Sequence, residues 1–473
     1  MKKQVLSALA FCSALGIAQA QTDVTKEYLV NPSFETLKAA DGATEVAVKT
    51  KLENGLLGWE VADMNDYQVE SEASRSATGF PADGSGKIKP TEGTYYYFNR
   101  VGWSNKDSEL KTTTSKELPA GTYYAVIDYK AADYSNNNNA NNNGTTIGIK
   151  VNGAASDLLG ENPAVRRAYS IANNGSNPGN DAYMVNAAWN ELGTMFTVTE
   201  PTTVTISLVQ NMKNHGRSDI AWDNLRLYQI ENVSENKPMD VSGLITTSNY
   251  YALGGWNIEG GNTFQVNTWS TEGEKDGSGM TTPFIQDHVG KENKAANATI
   301  SHTVNHLIPG IYEVSGLIRV LNEAGGDTPS GATLYANEGS TNACNGNPCT
   351  NGVYGTYTVK GTVGTDGVLT FGIKVANANF NWVSFKNFKL QYLGAASIEQ
   401  LQATLKEKIE EAKAYVENCP KGIAAIVNAA ITQGDNAQPT EESLNAAIAA
   451  LTQAIALAEE TAPATEAFKT LMA

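Results

Sequence analysis

The most informative chemistry in this sequence sits on a strand written twice. The stretch IAWDNLRLYQI (Ile220 to Ile230) has a counterpart in WVSFKNFKLQYL (Trp382 to Leu393). Trp222 falls on Phe385, Asn224 on Asn387, Leu225 on Phe388 and Leu227 on Leu390. At one position the charge reverses, because Asp223 falls on Lys386. A carboxylate there can accept hydrogen bonds or hold a cation, whereas an ammonium only donates and can stand where a cation would. His302 and His306 in HTVNH have the spacing of a metal pair on a helix, but the region reads as a strand and lacks a catalytic glutamate. No phosphate loop, nucleophile elbow or dinucleotide fingerprint occurs. Cys344 and Cys349 lie in NACNGNPCTN, a turn-forming stretch that a disulfide would staple in an oxidising compartment. A metal there would want more Cys or His nearby, and Cys419 is left as a lone thiol at a helix end.

Such residues need elements to position them, and those elements also repeat. LPAGTYYAVIDYKA (Leu118 to Ala131) resembles LIPGIYEVSGLIRV (Leu307 to Val320), matching Tyr123 to Tyr312, Ala125 to Val314 and Tyr129 to Ile318. These positions alternate, as in a strand with one buried face. GTMFTV from Gly193 matches GTYTVK from Gly355. Three matched segments in one order describe a duplicated β-domain, and short strands broken by Gly, Asn, Asp and Pro describe a sandwich. The tract SNNNNANNNG reads as a solvated loop insertion in the first copy.

Beyond Gly394 the apolar period becomes helical: Ile398, Leu401, Leu405, Ile409, Ala412 and Val416 share a face. Ser397 and Gln400 form a capping box, a second helix spans 422–433 with Gly434 as its C-cap, and a third follows Pro439-Thr440. The fold class is therefore mainly β, two tandem β-sandwiches followed by a small three-helix bundle; the resemblance given below implies that the sandwiches are jelly rolls. The divisions are 1–20, 21–231 for the first sandwich, a linker at 232–241, 242–394 for the second, and 395–473 for the bundle.

Residues 1–20 read as a secretion signal: Lys2 and Lys3, an apolar run, then Ala18-Gln19-Ala20. The run is too short to span a membrane, and no later one is long enough. A net charge of −16 from 34 basic and 50 acidic residues argues against nucleic acid or anionic lipid as partner.

VNPSFE (Val30 to Glu35), LGWE (Leu57 to Glu60), LPAGTYY and IAWDNLRLY occur in that order. Together they resemble the galactose-binding-like, jelly-roll carbohydrate-binding modules of cellulase- and xylanase-type enzymes and of surface proteins of Gram-negative polysaccharide users. The likeness covers most of the first sandwich and part of the second, and the tail resembles a FIVAR-type three-helix module. The resemblance implies a structural calcium held by Glu35 and Asp223 with backbone carbonyls, a sound pairing because calcium wants several hard oxygens. The plainer alternative is that Asp223 accepts hydrogen bonds from a loop. The resemblance implies no such ion in the second copy, where Lys386 replaces the aspartate.

It also implies a glycan ligand, which needs exposed aromatics to stack on pyranose faces and planar polar groups to read hydroxyls. TYYYFNRVGW offers Tyr95, Tyr97, Arg100 and Trp103, and NAAWNE offers Trp189; Tyr96 and Phe98 could take the exposed places instead. Trp59 and Trp222 read as core, and Trp256, Trp269 and Trp382 are the second copy's candidate platforms. The expectation is a secreted, non-catalytic, polysaccharide-binding protein outside or on the outer surface of a Gram-negative-type cell, with the periplasm as the other compartment. Further domains or surface proteins are additional partners. The rivals are an adhesive stalk that binds proteins and a jelly-roll glycoside hydrolase or lyase, whose paired carboxylates no sequence spacing reveals.

Overall fold

A computed structural model describes residues 21–472 apart from 53–54, 63–65, 72–88, 102–106, 135–145, 155–157, 166–188, 212–216, 246–255, 262–263, 268–283, 326, 345–353 and 417–418. The expected signal and the asparagine tract lie outside the described residues. The first sandwich contains β1 (Gln21–Asp23), the one-turn helix α1 (Thr25–Tyr28), β2 (Glu60–Ala62), β3 (Asp66–Ser71), β4 (Tyr95–Val101) and β5 (Asp107–Thr113). It continues with β6 (Gly121–Tyr134), β7 (Thr146–Gly153), β8 (Leu158–Val165), β9 (Asn190–Val198), β10 (Val204–Asn211) and β11 (Arg217–Ile230).

The second contains β12 (Met239–Asp240), β13 (Trp256–Gly260), β14 (Phe264–Asn267), β15 (Phe284–His288), β16 (Ala298–Val304) and β17 (Gly310–Leu321). Then come β18 (Ala332–Ala336), β19 (Gly339–Asn342), β20 (Gly355–Val363), β21 (Leu369–Val375) and β22 (Trp382–Tyr392). One sheet of the first sandwich runs β3-β4-β11-β6-β9 with β1 also on β11, and the other runs β2-β5-β10-β7-β8. The second sandwich repeats this order as β14-β15-β22-β17-β20 with β12 on β22, and β13-β16-β21-β18-β19. Every strand of one copy has its counterpart in the other.

The register repeats as well. Trp222 faces Tyr129 as Phe385 faces Ile318, and Gly121 faces Val198 as Gly310 faces Val363. Both ladders slip between Asp223 and Arg226 in β11 and at the matching place opposite Ser315 and Leu317 in β17. Asn224 and Asn387 adopt left-handed conformations there, with φ of 52° and 53°. Asparagine tolerates that region better than other L residues, so one residue type makes both bulges. The repeated Leu-Pro-Gly segments likewise act as one device: the Tyr123 hydroxyl donates to Pro119 O and the Tyr312 hydroxyl to Ile308 O, each at 2.9 Å. The register corrects one sequence match. Asn190, not Gly193, occupies the place of Gly355, because the hydrogen-bond ladder and not a shared Gly-Thr dipeptide sets the alignment.

The sandwiches are not beads on a linker. Tyr124, Val126 and Met195 of the first share a buried cluster with Met239, Val241, Leu244 and Ile245 and with the core of the second. Met239 and Asp240 pair with Tyr392 and Gln391, so the second sandwich begins before Ser242 and the expected linker is partly strand. Gly193 and Gly243 close this seam. A Cβ on either would stand 2.5–2.6 Å from the Tyr124 hydroxyl, which no real contact allows.

The bundle, α2 (Ile398–Val416), α3 (Lys421–Asp435) and α4 (Glu441–Met472), has a separate core around Leu405, Val427, Leu444 and Leu451. The capping box forms reciprocally: Ser397 N donates to Gln400 Oε1 at 2.7 Å and Gln400 N to Ser397 Oγ at 3.2 Å. Gly434 lies inside α3 and not at its cap, since the helix runs to Asp435. No described helix is long and apolar enough to cross a membrane.

Candidate functional site

Alternation along β4 decides which aromatics face a ligand. Tyr97 points into the sandwich, fully buried with its ring 5.1 Å from Phe34. It is core, which corrects its assignment as a sugar platform; the pleat turns Tyr96 and Phe98 to the opposite face of the sheet, where both are buried as well. Tyr95 packs partly buried against the same core. Arg100 takes its place on β4 opposite Asp66 and Asp219, its side chain outside the described residues, as is the whole of Trp103. Trp59 and Trp222 are buried, as their patterns implied.

Trp189 stands just before β9, half-buried, and meets Tyr96 edge-on at 6.1 Å and 74°. Its indole N–H donates to Lys89 O at 2.8 Å, fixing the ring's orientation. Lys130 of β6 lies buried on this face. The second sandwich repeats the constellation in the same register. Tyr354, just before β20, meets Phe284 edge-on at 6.2 Å and 69°, and its hydroxyl donates to Ser384 Oγ at 3.0 Å. Arg319 takes the place of Lys130, its guanidinium 5.4 Å from the Tyr354 ring and 4.2 Å from the Trp382 ring.

Trp382 itself is half-buried, donates to Gln286 Oε1 at 3.0 Å, and has the His288 ring 4.5 Å away from the neighbouring strand β15. His288 Nε2 lies 2.8 Å from Glu323 Oε2, which also accepts from Asn381 Nδ2 at 2.7 Å. The hydrogen bond from His288 holds the Glu323 carboxyl below its usual range. On this face Trp189, Tyr354 and Trp382 are half-buried and His288 is exposed, while Gln286, Lys130 and Arg319 lie buried beneath them. Trp256 is core, 5.4 Å from Phe385, which corrects its candidacy as a platform, and Trp269 lies outside the described residues. His302 is buried beside Trp256 on strand β16, so HTVNH forms no helical metal pair.

Glu35 and Asp223 meet through one turn, residues 91–95. Asp223 Oδ2 accepts from Thr91 N at 2.7 Å, Thr91 Oγ1 at 2.9 Å and Glu92 N at 3.1 Å. Glu35 Oε1 accepts from Thr94 N and Tyr95 N at 2.9 and 2.8 Å. Gly93 between them has φ +64°, and a Cβ there would lie 2.3 Å from the Glu35 carboxyl carbon. Behind the turn, Phe34 packs 4.8 Å from Trp59, whose N–H donates to Asn31 O at 2.9 Å, so NPSFE and LGWE brace each other.

Burial pushes the Asp223 carboxyl up to about 7 despite the donors from Glu92 and Thr91, and its Oδ1 is buried with no hydrogen-bond partner. Such an oxygen suits a proton or a hard cation. A hard cation at this place would need Asp223 Oδ1, the Glu35 carboxylate and backbone carbonyls as its oxygens. No group of three or more metal-ligating side chains occurs among the described residues. Cys344 is buried and Cys349 lies outside the described residues.

Sequence reasoning missed Tyr354, Phe284, Gln286 and Arg319. Matching the ladders strand by strand, Trp189 to Tyr354 and Lys130 to Arg319, is the signal that finds them.

No protein-family model matches the chain, and no curated protein matches it. Several solved structures are similar. The tandem family 22 carbohydrate-binding modules of Paenibacillus barcinonensis Xyn10C are 8% identical, covering 74% of this chain and 98% of that one at a TM-score of 0.22. TmCBM61, solved with β-1,4-galactotriose, is 16% identical over 43% of this chain and 97% of its own at 0.23. A Stig cyclase, Fisc, from Fischerella is 11% identical over 44% and 97% at 0.27. At such scores these likenesses carry no argument about ligand or activity.

Proposed function

We propose that the chain is a secreted, non-catalytic protein that binds polysaccharide through the outer sheet faces of its two sandwiches, with the bundle as a spacer. The supporting observation is the repeated constellation: an oriented, half-buried ring (Trp189, Tyr354) set edge-on against a buried one, beside a buried cation (Lys130, Arg319). Rings pre-oriented by their polar edges lose little entropy when a pyranose packs on them. Calcium, bound by Asp223 and Glu35, would brace the 91–95 turn, whose neighbour Lys89 holds the Trp189 indole. A glycan array with the full chain tests the reading. Trp189→Ala and Tyr354→Ala should each weaken binding, and the double variant should abolish it. Unaltered binding by the double variant would remove these faces from the reading, and release of reducing ends from the bound glycan would remove the non-catalytic assignment.

A further inference from the structure

Trp382 has a group against each side of its indole, and the two are held very differently. Strands β15 and β17 flank β22, so side chains from them reach the ring from opposite sides. Arg319 of β17 brings its guanidinium to 4.2 Å from the ring centre. His288 of β15 brings its imidazole to 4.5 Å, tilted by 31°. The indole N–H donates to Gln286 Oε1 at 3.0 Å, which fixes the ring itself. Arg319 is fixed as well, since it is only 3% exposed and also lies over the Tyr354 ring.

His288 is the cover that can leave. It is exposed, and its only side-chain hydrogen bond among the described residues joins Nε2 to Glu323 Oε2 at 2.8 Å. Glu323, just beyond β17, is aimed by Asn381, which is fully buried. Asn381 Nδ2 donates to Glu323 Oε2 at 2.7 Å, and Glu323 N donates to Asn381 Oδ1 at 2.8 Å. The anchor is therefore rigid, while the link from Glu323 to His288 stands in water, with the two side chains 32% and 34% exposed. A pair so exposed favours its bound geometry by no more than about fivefold.

From this geometry we infer that Trp382 is a closed subsite for a pyranose ring, with the His288 imidazole as its displaceable cover. The inference rests on the reading that the outer faces bind polysaccharide. An arriving sugar turns the imidazole off the indole, breaks its hydrogen bond to Glu323 and lays its own apolar face on the ring. Affinity at this subsite is then reduced by the fraction of molecules in which the cover is closed. The first face has no such subsite, because the register puts Asp219 in the place of Trp382 and Arg100 in the place of His288. An imidazole that instead hydrogen-bonds the sugar would give the opposite sign when removed.

Binding curves on an array of immobilised neutral and acidic polysaccharides test this, with the full chain, His288→Ala, Glu323→Ala and the double variant His288→Ala/Trp382→Ala. His288→Ala should bind about fivefold more tightly than the parent to the glycans that the parent binds. Glu323→Ala should gain less, because the imidazole keeps its contact with the indole. The gain should vanish in the double variant. Circular dichroism identifies a variant that fails to fold, and Glu323→Ala serves in place of His288→Ala if that one does. Equal or weaker binding by the folded single variant, or a gain that survives Trp382→Ala, would overturn the inference and leave the reading of the faces standing. An array blank for the parent and every variant would remove both.

Discussion

The two sandwiches share their register residue for residue but use the central position of the last strand differently. In the first, Asp223 gathers three hydrogen bonds from the 91–92 backbone and the Thr91 hydroxyl. In the second, Lys386 is fully buried with its ammonium 4.8 Å from the centre of the Tyr354 ring. One copy spends that position holding the turn before β4. The other spends it beside the ring before β20. What persists in both is backbone machinery, the asparagine bulge and the tyrosine tied to the turn four residues back. Side-chain chemistry at a bulge can therefore change sign without disturbing the ladder that carries it.

If the shared register reflects a shared core, Trp222→Ala and Phe385→Ala should each cost about 3–5 kcal/mol in denaturant unfolding of the full chain. A cost well below that range in one copy would show that its sheets pack differently. The calcium contrast should be the next largest effect. Calcium at a hundredfold excess over its dissociation constant adds roughly 2.7 kcal/mol to the state that binds it. Chelator should lower the melting temperature of the parent and leave Asp223→Asn unmoved, while Lys386→Met keeps the parent's response. Because the sandwiches share buried surface, the full chain is the proper sample.

The same carboxylate gives the comparison a pH axis. With chelator present, the raised Asp223 pKa means its stabilisation is whole below about pH 4, the ordinary aspartate value, and is lost as pH rises through about 7. Melting temperature should fall over that window in the parent and stay flatter in Asp223→Asn; matching slopes would remove Asp223 as the source. Smaller still are the bulges. Asn224→Ala and Asn387→Ala should each cost about 1–2 kcal/mol of left-handed strain. The first should be the dearer, because Asn224 Nδ2 also donates to Asp128 Oδ2 at 3.0 Å. Ser397→Ala should cost about 1 kcal/mol, confined to the bundle's transition.

Periodicity made the strands, the duplication and the helices legible, because burial on one face imposes a period of two or 3.6 on the apolar residues. It could not say which face of β4 was inward. Tyr95, Tyr96, Tyr97 and Phe98 are all aromatic, so alternation leaves no trace in residue type and does not separate the side of Tyr97 from that of Tyr96. The outer face of the second sandwich was hidden for another reason. Gln286, Arg319 and Tyr354 come from three separated segments that only the hydrogen-bond ladder brings together. The pairing of Glu35 with Asp223 through one turn was legible only through family resemblance, since 188 residues separate them.

The seam around Tyr124, Met195 and Val241 gives the chain an unusual response to cutting. The connection at 231–237 is largely exposed and is the kind of segment a protease nicks first. Cleavage there would break the backbone without freeing two modules, since each half would still cover the other's apolar face. The fragments should travel together on a sizing column and part only in denaturant. By the same token, either half moved alone into another protein would expose the apolar surface that its sibling covers here.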